Sequence, residues 1–329
     1  MESPITAIYE FREKMRQIYA RHSWPIRALL KFAAAFLMLA SINQKAGYMT
    51  SLVSLPATIV IAAVCCVLPW GMITGIMCVL LLTHFMEVSF IVALVALIIM
   101  ISMVLINLIF SPGWQSAVFF VPMLFFLKIP FLMPLVLGLL APVSSLVPML
   151  FGIVLYYLMD YVSSTAGVLA DATEAAGMSS RFIQLIDGLK NNRSLLIVAA
   201  AFTITLILVY VVRRLSVDYA WAIAVAAGMV TNLVLVIFGV ASAAESDPTV
   251  MTASYVIISS TVSGLIAFAL QFMVFAVDYK RTDYARFEDD EYYYYVKVVP
   301  KVRVAEKDYG KINILGDDTG KDGGEQISE

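Results

Sequence analysis

Charged residues are scarce in this chain, and their scarcity excludes most classes of protein. Asp, Glu, Lys and Arg make up 14% of the 329 residues, 61% are hydrophobic, and the mean hydropathy is +0.88. Soluble domains contain roughly 25% charged and about 45–50% apolar residues. The composition therefore predicts a multi-spanning membrane protein. A formal net charge of −2 provides no basic footprint for a nucleic acid.

Cysteine and histidine are also few, which argues against two kinds of site. Cys65, Cys66 and Cys78 all fall inside apolar runs, so they do not form the disulfide framework of a small secreted domain. His22 and His84 are the only histidines, and the sequence contains no spaced Cys/His set for zinc. We expect buried thiols, no metal site and no cofactor.

The common motifs of enzymes are missing as well. The sequence has no G-x-x-x-x-G-K-[ST] phosphate loop, no H-E-x-x-H metal pair and no G-x-S-x-G nucleophile elbow. No predicted span carries two carboxylates at helical spacing, so a chain of proton-carrying acids is not indicated either. We predict no catalytic residues, and an enzyme is the less favoured class.

Residues 1–25 predict an amphipathic helix that begins at Ser3-Pro4. Its apolar positions recur at three- and four-residue spacing, opposite four basic residues: Ile5, Ile8, Phe11, Met15, Ile18 and Tyr19 against Arg12, Lys14, Arg16 and Arg21. Such a helix either lies on the anionic cytoplasmic leaflet or packs against the protein itself. Both readings place the N-terminus in the cytoplasm by the positive-inside rule.

Seven apolar runs of spanning length flank a central Pro-rich stretch. They are residues 26–42, 52–68, 70–86, 88–110, 195–212, 219–240 and 252–277. Each is close to the roughly 17–25 residues that cross a bilayer as a helix. With one crossing from the Pro-rich stretch, the sequence predicts an all-α polytopic membrane protein with about eight transmembrane helices. We divide it into a membrane bundle at 26–159, an external amphipathic loop at 160–194, a three-helix segment at 195–278 and a polar tail at 279–329.

The Pro-rich stretch, residues 116–159, is the most informative part of the sequence. Its five prolines and one cation are Pro122, Lys128, Pro130, Pro134, Pro142 and Pro148. Each proline removes a backbone donor, and broken helices at membrane depth occur where they are buried in protein or line a wet cavity. Basic pairs at Arg213-Arg214 and Lys280-Arg281 favour the cytoplasm. Both basic pairs can lie in the cytoplasm only if residues 116–141 cross the membrane an even number of times, as a re-entrant hairpin or as two short helices. Lys128 then lies near the apex of this segment. We expect both termini in the cytoplasm and a plasma-membrane location.

Lys128, with Pro130 and Pro134 beside it, is the leading candidate for substrate binding. An apex lysine between broken helices is suited to an anionic group, although a lysine that reaches the outer interface from a short hairpin gives the same pattern. Other polar residues predict structural roles. Asn107, Asn232 and Gln271 lie deep in spans and are typical of hydrogen bonds between helices. Glu87, one turn after His84, and Asp160 are predicted to be acids at span boundaries.

The tail beyond the last span changes to a polar, β-forming character. An acidic cluster leads into Tyr292, Tyr293, Tyr294 and Tyr295 and a run of valines, which Pro300 interrupts. Composition predicts disorder from Gly316 onward. We expect residues 286–305 either to form a hairpin or to add a strand to the sheet of a cytoplasmic partner.

A faint internal repeat aligns residues 69–87 with residues 142–160, with a proline at the start and an acid at the end of each segment. Such repeats relate the two halves of many secondary transporters. Two functional hypotheses remain: a permease-like or transport-system membrane component, favoured by the prolines, and a non-transporting scaffold or assembly subunit, favoured by the low charge of the spans.

Overall fold

The computed structural model describes residues 4–171, 183, 186–243, 252–274, 283–288 and 293–298. The helices of the first half are α1 (Pro4–Arg21), α2 (Ser23–Ala46), α3 (Thr50–Val53), α4 (Leu55–Val67), α5 (Trp70–Val88), α6 (Phe90–Phe110), α7 (Ala117–Phe126) and α8 (Leu132–Leu140). After a 3-10 turn (Val143–Ser145) follow α9 (Leu146–Asp171), α10 (Arg193–Val212), α11 (Ala220–Ala243) and α12 (Ala253–Val274). Residues 186–190 are also helical, and two strands, β1 (Asp283–Glu288) and β2 (Tyr293–Val298), follow α12.

Seven of the helices in the described part of the chain are long and apolar enough to cross a membrane: α2, α5, α6, α9, α10, α11 and α12. Their outer surfaces carry large apolar side chains that no neighbouring helix covers, such as Leu29, Ile109 and Phe238. Apolar side chains exposed on long helices are typical of contact with lipid. The prediction of an all-α, multi-pass integral membrane protein is confirmed.

The predicted run 52–68 is divided into two helices. Ser54 separates α3 from α4, and Pro56 occupies the first turn of α4, where a missing N–H costs nothing. With 13 residues, α4 is about 20 Å long, against about 30 Å for the hydrocarbon core. The run 52–68 is therefore not one of the seven long helices. The sequence prediction missed the division because average hydropathy does not change at the Ser54–Pro56 boundary.

Helix α9 passes through the predicted loop boundary at residue 160 and ends at Asp171. No Gly or Pro interrupts it there, and the hydroxyls of Ser164 and Thr165 donate to the carbonyl oxygen of Tyr161 within the helix. The sequence becomes less hydrophobic after Met159, but the helix continues. Much of the remaining loop, residues 172–182, 184 and 185, lies outside the described residues.

The two short helices α7 and α8 lie at the centre of the core. Eight of the ten residues of α7 are buried, and α7 packs against α2, α5 and α9. Helix α8 packs mainly against α10, α11 and α12. The guanidinium of Arg213 donates to the carbonyl oxygens of Leu139 and Ala141 at the end of α8. The Pro-rich segment is thus held by both halves of the chain.

Helix α1 contacts the bundle through one basic residue. Arg12 is buried, and its Nε donates to the carbonyl oxygen of Met273, near the end of α12, at 3.4 Å. In contrast, Phe11, Met15 and Ile18 are exposed, at 60%, 41% and 51%. The helix therefore contacts the protein through Arg12, while the described part of its apolar stripe, residues 11–19, is exposed and available to a lipid surface.

The two strands of the tail pair with each other. They form an antiparallel hairpin whose register runs from Asp283 opposite Val298 to Glu288 opposite Tyr293. The pairing begins at Asp283, before the predicted range 286–305, and residues 299–305 lie outside the described residues. The connection between the two strands, which includes Tyr292, also lies outside them.

Candidate functional site

Lys128 occupies a backbone position that normally belongs to glycine. Its φ is +61°, in the left-handed region. The Lys128 N–H donates to the carbonyl oxygen of Phe125 at 3.1 Å, and the Ile129 N–H donates to that of Leu124 at 2.9 Å. These two bonds form a Schellman motif that ends α7. An L-residue in this conformation costs roughly 1–2 kcal/mol, so a lysine here points to a role for its side chain.

The prolines around Lys128 leave some backbone carbonyls without their helical hydrogen bond, and these carbonyls lie against other parts of the protein. Pro122 lies within α7 and has no N–H for the carbonyl of Val118. That oxygen faces Gly152 of α9, so closely that a Cβ added to the glycine would lie 2.6 Å from it. On the other side of the turn, the hydroxyl of Ser263 donates to the carbonyl oxygen of Ile129 at 3.4 Å. Pro130 and Pro134 are both buried.

A cavity of about 100 Å³ lies beside Lys128, between α2, α7 and α9. We call it the cation cavity, and its lining residues are Ser41, Gln44, Lys45, Pro122, Phe125, Phe126, Lys128, Tyr156 and Met159. The cavity is large enough for water or for one small polar group. Two lysines, two hydroxyls and one amide therefore line a space whose other walls are aromatic and apolar side chains.

Asp160 neutralises one of the two lysines. Lys45 of α2 forms an ion pair with Asp160 of α9, and both side chains are partly exposed, at 33% and 43%. The Lys45 ammonium also lies 5.6 Å from the ring centroid of Tyr156, which stacks on Phe125 at 3.9 Å. Within the described part of the chain, no acid is paired with Lys128. The cavity and its rim thus hold two positive charges and one negative charge.

The loop after α2 is anchored beside the cavity. The Met49 N–H donates to Nδ1 of the buried His84 at 3.2 Å. Burial raises the pKa of the Tyr48 hydroxyl, and a hydrogen bond with Ser163 of α9 opposes that rise. The end of α2 is therefore held against α5 and α9, which fixes the position of Lys45. Glu87, the predicted neighbour of His84, is exposed.

The other predicted polar residues lie on separate helices and do not line the cation cavity. Asn232 of α11 is fully buried and accepts a hydrogen bond from the hydroxyl of Thr205 of α10 at 3.0 Å. Oδ1 of Asn107 and Oε1 of Gln271 are buried, and neither has a hydrogen-bond partner in the described structure. Asn232 thus has the helix-to-helix contact that the sequence predicts for all three.

The predicted tyrosine surface of the tail is only partly described. Tyr293 and Tyr294 are 63% and 46% exposed on β2, together with Val296 and Val298 at 43% and 44%. The side chain of Tyr295 and all of Tyr292 lie outside the described residues. The hairpin therefore presents an aromatic and apolar surface, although it already pairs both of its strands with each other.

Sequence reasoning found only Lys128 among the five polar residues that line the cation cavity and missed Ser41, Gln44, Lys45 and Tyr156. Lys45 stands 115 positions from its partner Asp160, and no local pattern links the two. Among the described residues, no group of three or more His, Cys, Asp or Glu side chains is placed to hold a metal ion. Comparison with family models, with curated proteins and with solved structures finds no match to this chain.

Proposed function

We propose that the protein is a permease-like or transport-system membrane component that binds the anionic group of a solute in the cation cavity. The observation that carries this proposal is the convergence of Lys45 and Lys128 on one cavity, with Lys128 in a strained backbone position. Among the described residues, Asp160 is the one carboxylate that pairs with either lysine. An anion entering the cavity restores neutrality, and it competes with Asp160 for the Lys45 ammonium.

The lengths of α7 and α8 support a re-entrant hairpin. With 10 and 9 residues, the two helices are about 15 and 14 Å long, half of the roughly 30 Å hydrocarbon core. Arg213, which the positive-inside rule places in the cytoplasm, binds the end of α8. The hairpin therefore enters from the cytoplasmic side and turns at Lys128, toward the external side of the bundle, where Lys45 and Asp160 lie. With α3 and α4 together as the eighth crossing, both termini lie in the cytoplasm.

The first test is anion binding by the purified full-length protein in mild detergent. We expect one or more of a panel of small anions, such as acetate, phosphate and sulfate, to raise the melting temperature of the wild type. At a concentration of about 100 Kd, binding stabilises the folded state by about 2.7 kcal/mol. Lys128→Ala should lose this shift, whereas Lys190→Ala, at an exposed lysine outside the cavity, should keep it. The stabilising anion is then used for uptake into proteoliposomes.

Equal stabilisation of the wild type and Lys128→Ala contradicts the binding site. Binding without uptake contradicts the transport activity but leaves the site in place. The two results separate the chemistry of the cavity from the movement of a solute.

A scaffold or assembly subunit is the second candidate, and the exposed face of β2 favours it. Tyr294, Val296 and Val298 lie on the same face of β2 and are exposed, which gives an aromatic and apolar surface of the kind that protein interfaces use. The test is affinity purification from native membranes, comparing the whole chain with a chain that ends at Arg281. A soluble partner that is lost on truncation supports docking, and identical protein profiles contradict it.

A further inference from the structure

A second cavity lies on the other side of α7 from the cation cavity. Its volume is about 420 Å³, and we call it the crevice. Its lining residues are Trp70, Gly113, Trp114, Ser116, Ala117, Phe120, Met123, Leu124, Leu132, Met133, Val136, Leu137 and Leu270. Phe120, Met123 and Leu124 of α7 face the crevice, whereas Pro122, Phe125 and Phe126 of the same helix line the cation cavity. The two cavities therefore flank a single helix.

The lining of the crevice is almost entirely apolar and is suited to a hydrocarbon chain. None of its side chains is charged, and Ser116 supplies the one hydroxyl among them. The rings of Trp70 and Phe120 lie 5.8 Å apart at one end, and thioether and branched side chains from α7 and α8 continue from there. An apolar cavity does not hold water well and accepts apolar ligands instead. The part of a ligand that enters the crevice is thus an alkyl chain.

The position of the crevice identifies the source of that chain. Trp70 of α5 and Leu270 of α12 belong to two of the long apolar helices, and they contribute to its walls. Leu270 is 39% exposed, so the crevice opens at the surface of the molecule beside α12. Leu265 and Phe268 lie on the opposite side of the same helix, where they are exposed at 67% and 53%. Tryptophans are enriched at the headgroup level of membranes, and Trp70 and Trp114 stand together at one end.

We propose that the crevice is a lipid site that takes an acyl chain of a bilayer phospholipid, with the headgroup at the level of Trp70 and Trp114. The chain lies along Met123, Leu124 and Met133 and covers the side of α7 that faces away from the cation cavity. This site stands independently of the proposed transport activity, because it rests on the shape, lining and location of the crevice alone.

The test is photolabelling of the full-length protein in mild detergent. The probe is phosphatidylglycerol with a diazirine in its acyl chain, and labelled peptides are identified by mass spectrometry. We expect saturable labelling of α7 and α8, competed by unlabelled phosphatidylglycerol. Val136→Trp fills the crevice and should weaken labelling roughly tenfold, the affinity equivalent of about two buried methylene groups. Leu265→Trp, on the exposed face of α12, is the matched control and should label as the wild type does.

A second measurement covers the case in which Val136→Trp does not fold. Trp24→Phe and Trp221→Phe leave Trp70 and Trp114 as the two remaining tryptophans. A phospholipid with brominated acyl chains should then quench their fluorescence and saturate near one lipid per protein. Free oleate should compete less well than phosphatidylglycerol, because it lacks the headgroup. Labelling spread over all outward-facing helices, or quenching that rises without saturation, overturns the proposal.

Discussion

Lys45 near the end of α2 is ion-paired with Asp160 in the middle of α9, beside the ring of Tyr156. Because Lys45 lines the cation cavity, the pair neutralises one of the two ammonium groups at the cavity. Because both side chains are partly exposed, the pair contributes about 0.2–1 kcal/mol to stability. In the proposed binding site, its larger effect is to lower the positive charge that attracts an anion.

Replacing Asp160 should therefore strengthen anion binding. We expect Asp160→Asn to raise the affinity for whichever anion stabilises the wild type, since the amide keeps the shape but no longer neutralises Lys45. The measurement is the anion concentration at half-maximal thermal stabilisation. Asp187→Asn removes an exposed acid elsewhere and should leave that concentration unchanged. A weaker affinity in Asp160→Asn contradicts the competition between the acid and the ligand.

The backbone at Lys128 allows binding and stability to be separated. Lys128→Gly relieves roughly 1–2 kcal/mol of left-handed strain and loses roughly 0.5–1 kcal/mol through the freedom of glycine in the unfolded chain. We expect a melting temperature equal to or above that of the wild type, together with loss of the anion-dependent shift. Lys128→Val, whose β-branched side chain suits this conformation least, should lose both binding and stability. A large loss of stability in Lys128→Gly contradicts the strain assigned to this turn.

The close approach of Gly152 to α7 should be sensitive to one methyl group. A Cβ at Gly152 meets the carbonyl oxygen of Val118 at 2.6 Å, and backbone atoms have little room to yield. We expect Gly152→Ala to destabilise the protein by about 1–3 kcal/mol, as overpacking does. Gly75→Ala is the control, because a Cβ at that position meets no atom within 4 Å. Equal denaturation midpoints of the two variants contradict the contact between α7 and α9.

The hydrogen bond between Thr205 and Asn232 is suited to a double-mutant cycle. Thr205→Val and Asn232→Leu, singly and together, should give a coupling energy of about 0.6 kcal/mol, with about 1.7 kcal/mol as the upper end for such pairs in membranes. Denaturation of the four proteins in mixed micelles provides the measurement. The hydroxyl of Thr203 bonds to Ala199 within its own helix, so Thr203→Val combined with Asn232→Leu should show no coupling.

The re-entrant hairpin predicts opposite accessibility of its turn and its base. In a protein with Cys65, Cys66 and Cys78 replaced, we expect Lys128→Cys to react with a membrane-impermeant maleimide added outside intact cells. Pro112→Cys and Val143→Cys, at exposed positions on either side of α7 and α8, should react only in inverted vesicles. Reaction of all three variants from one side contradicts this topology.

Composition and hydropathy predict the membrane class and the long helices because both depend on properties averaged over many residues. The turn at Lys128 has a local signal too, since Pro130 follows it and restricts the chain. The division between α3 and α4 depends on a single serine-proline step, and a hydropathy average conceals it. The ion pair between Lys45 and Asp160 depends on the packing of α2 against α9, a relationship that no stretch of sequence contains.

Helices α7 and α8 belong to different halves of the molecule, although only five residues, 127–131, join them. Helix α7 packs on α2, α5 and α9, and α8 packs mainly on α10, α11 and α12. Any rotation of one half against the other must therefore be absorbed in this short connection, where the backbone of Lys128 is already held outside its ordinary range. In the proposed transporter, Lys128 would then be both the hinge and the residue that binds the anion, so that movement of the halves would reshape the cavity and an anion in the cavity would bias the movement.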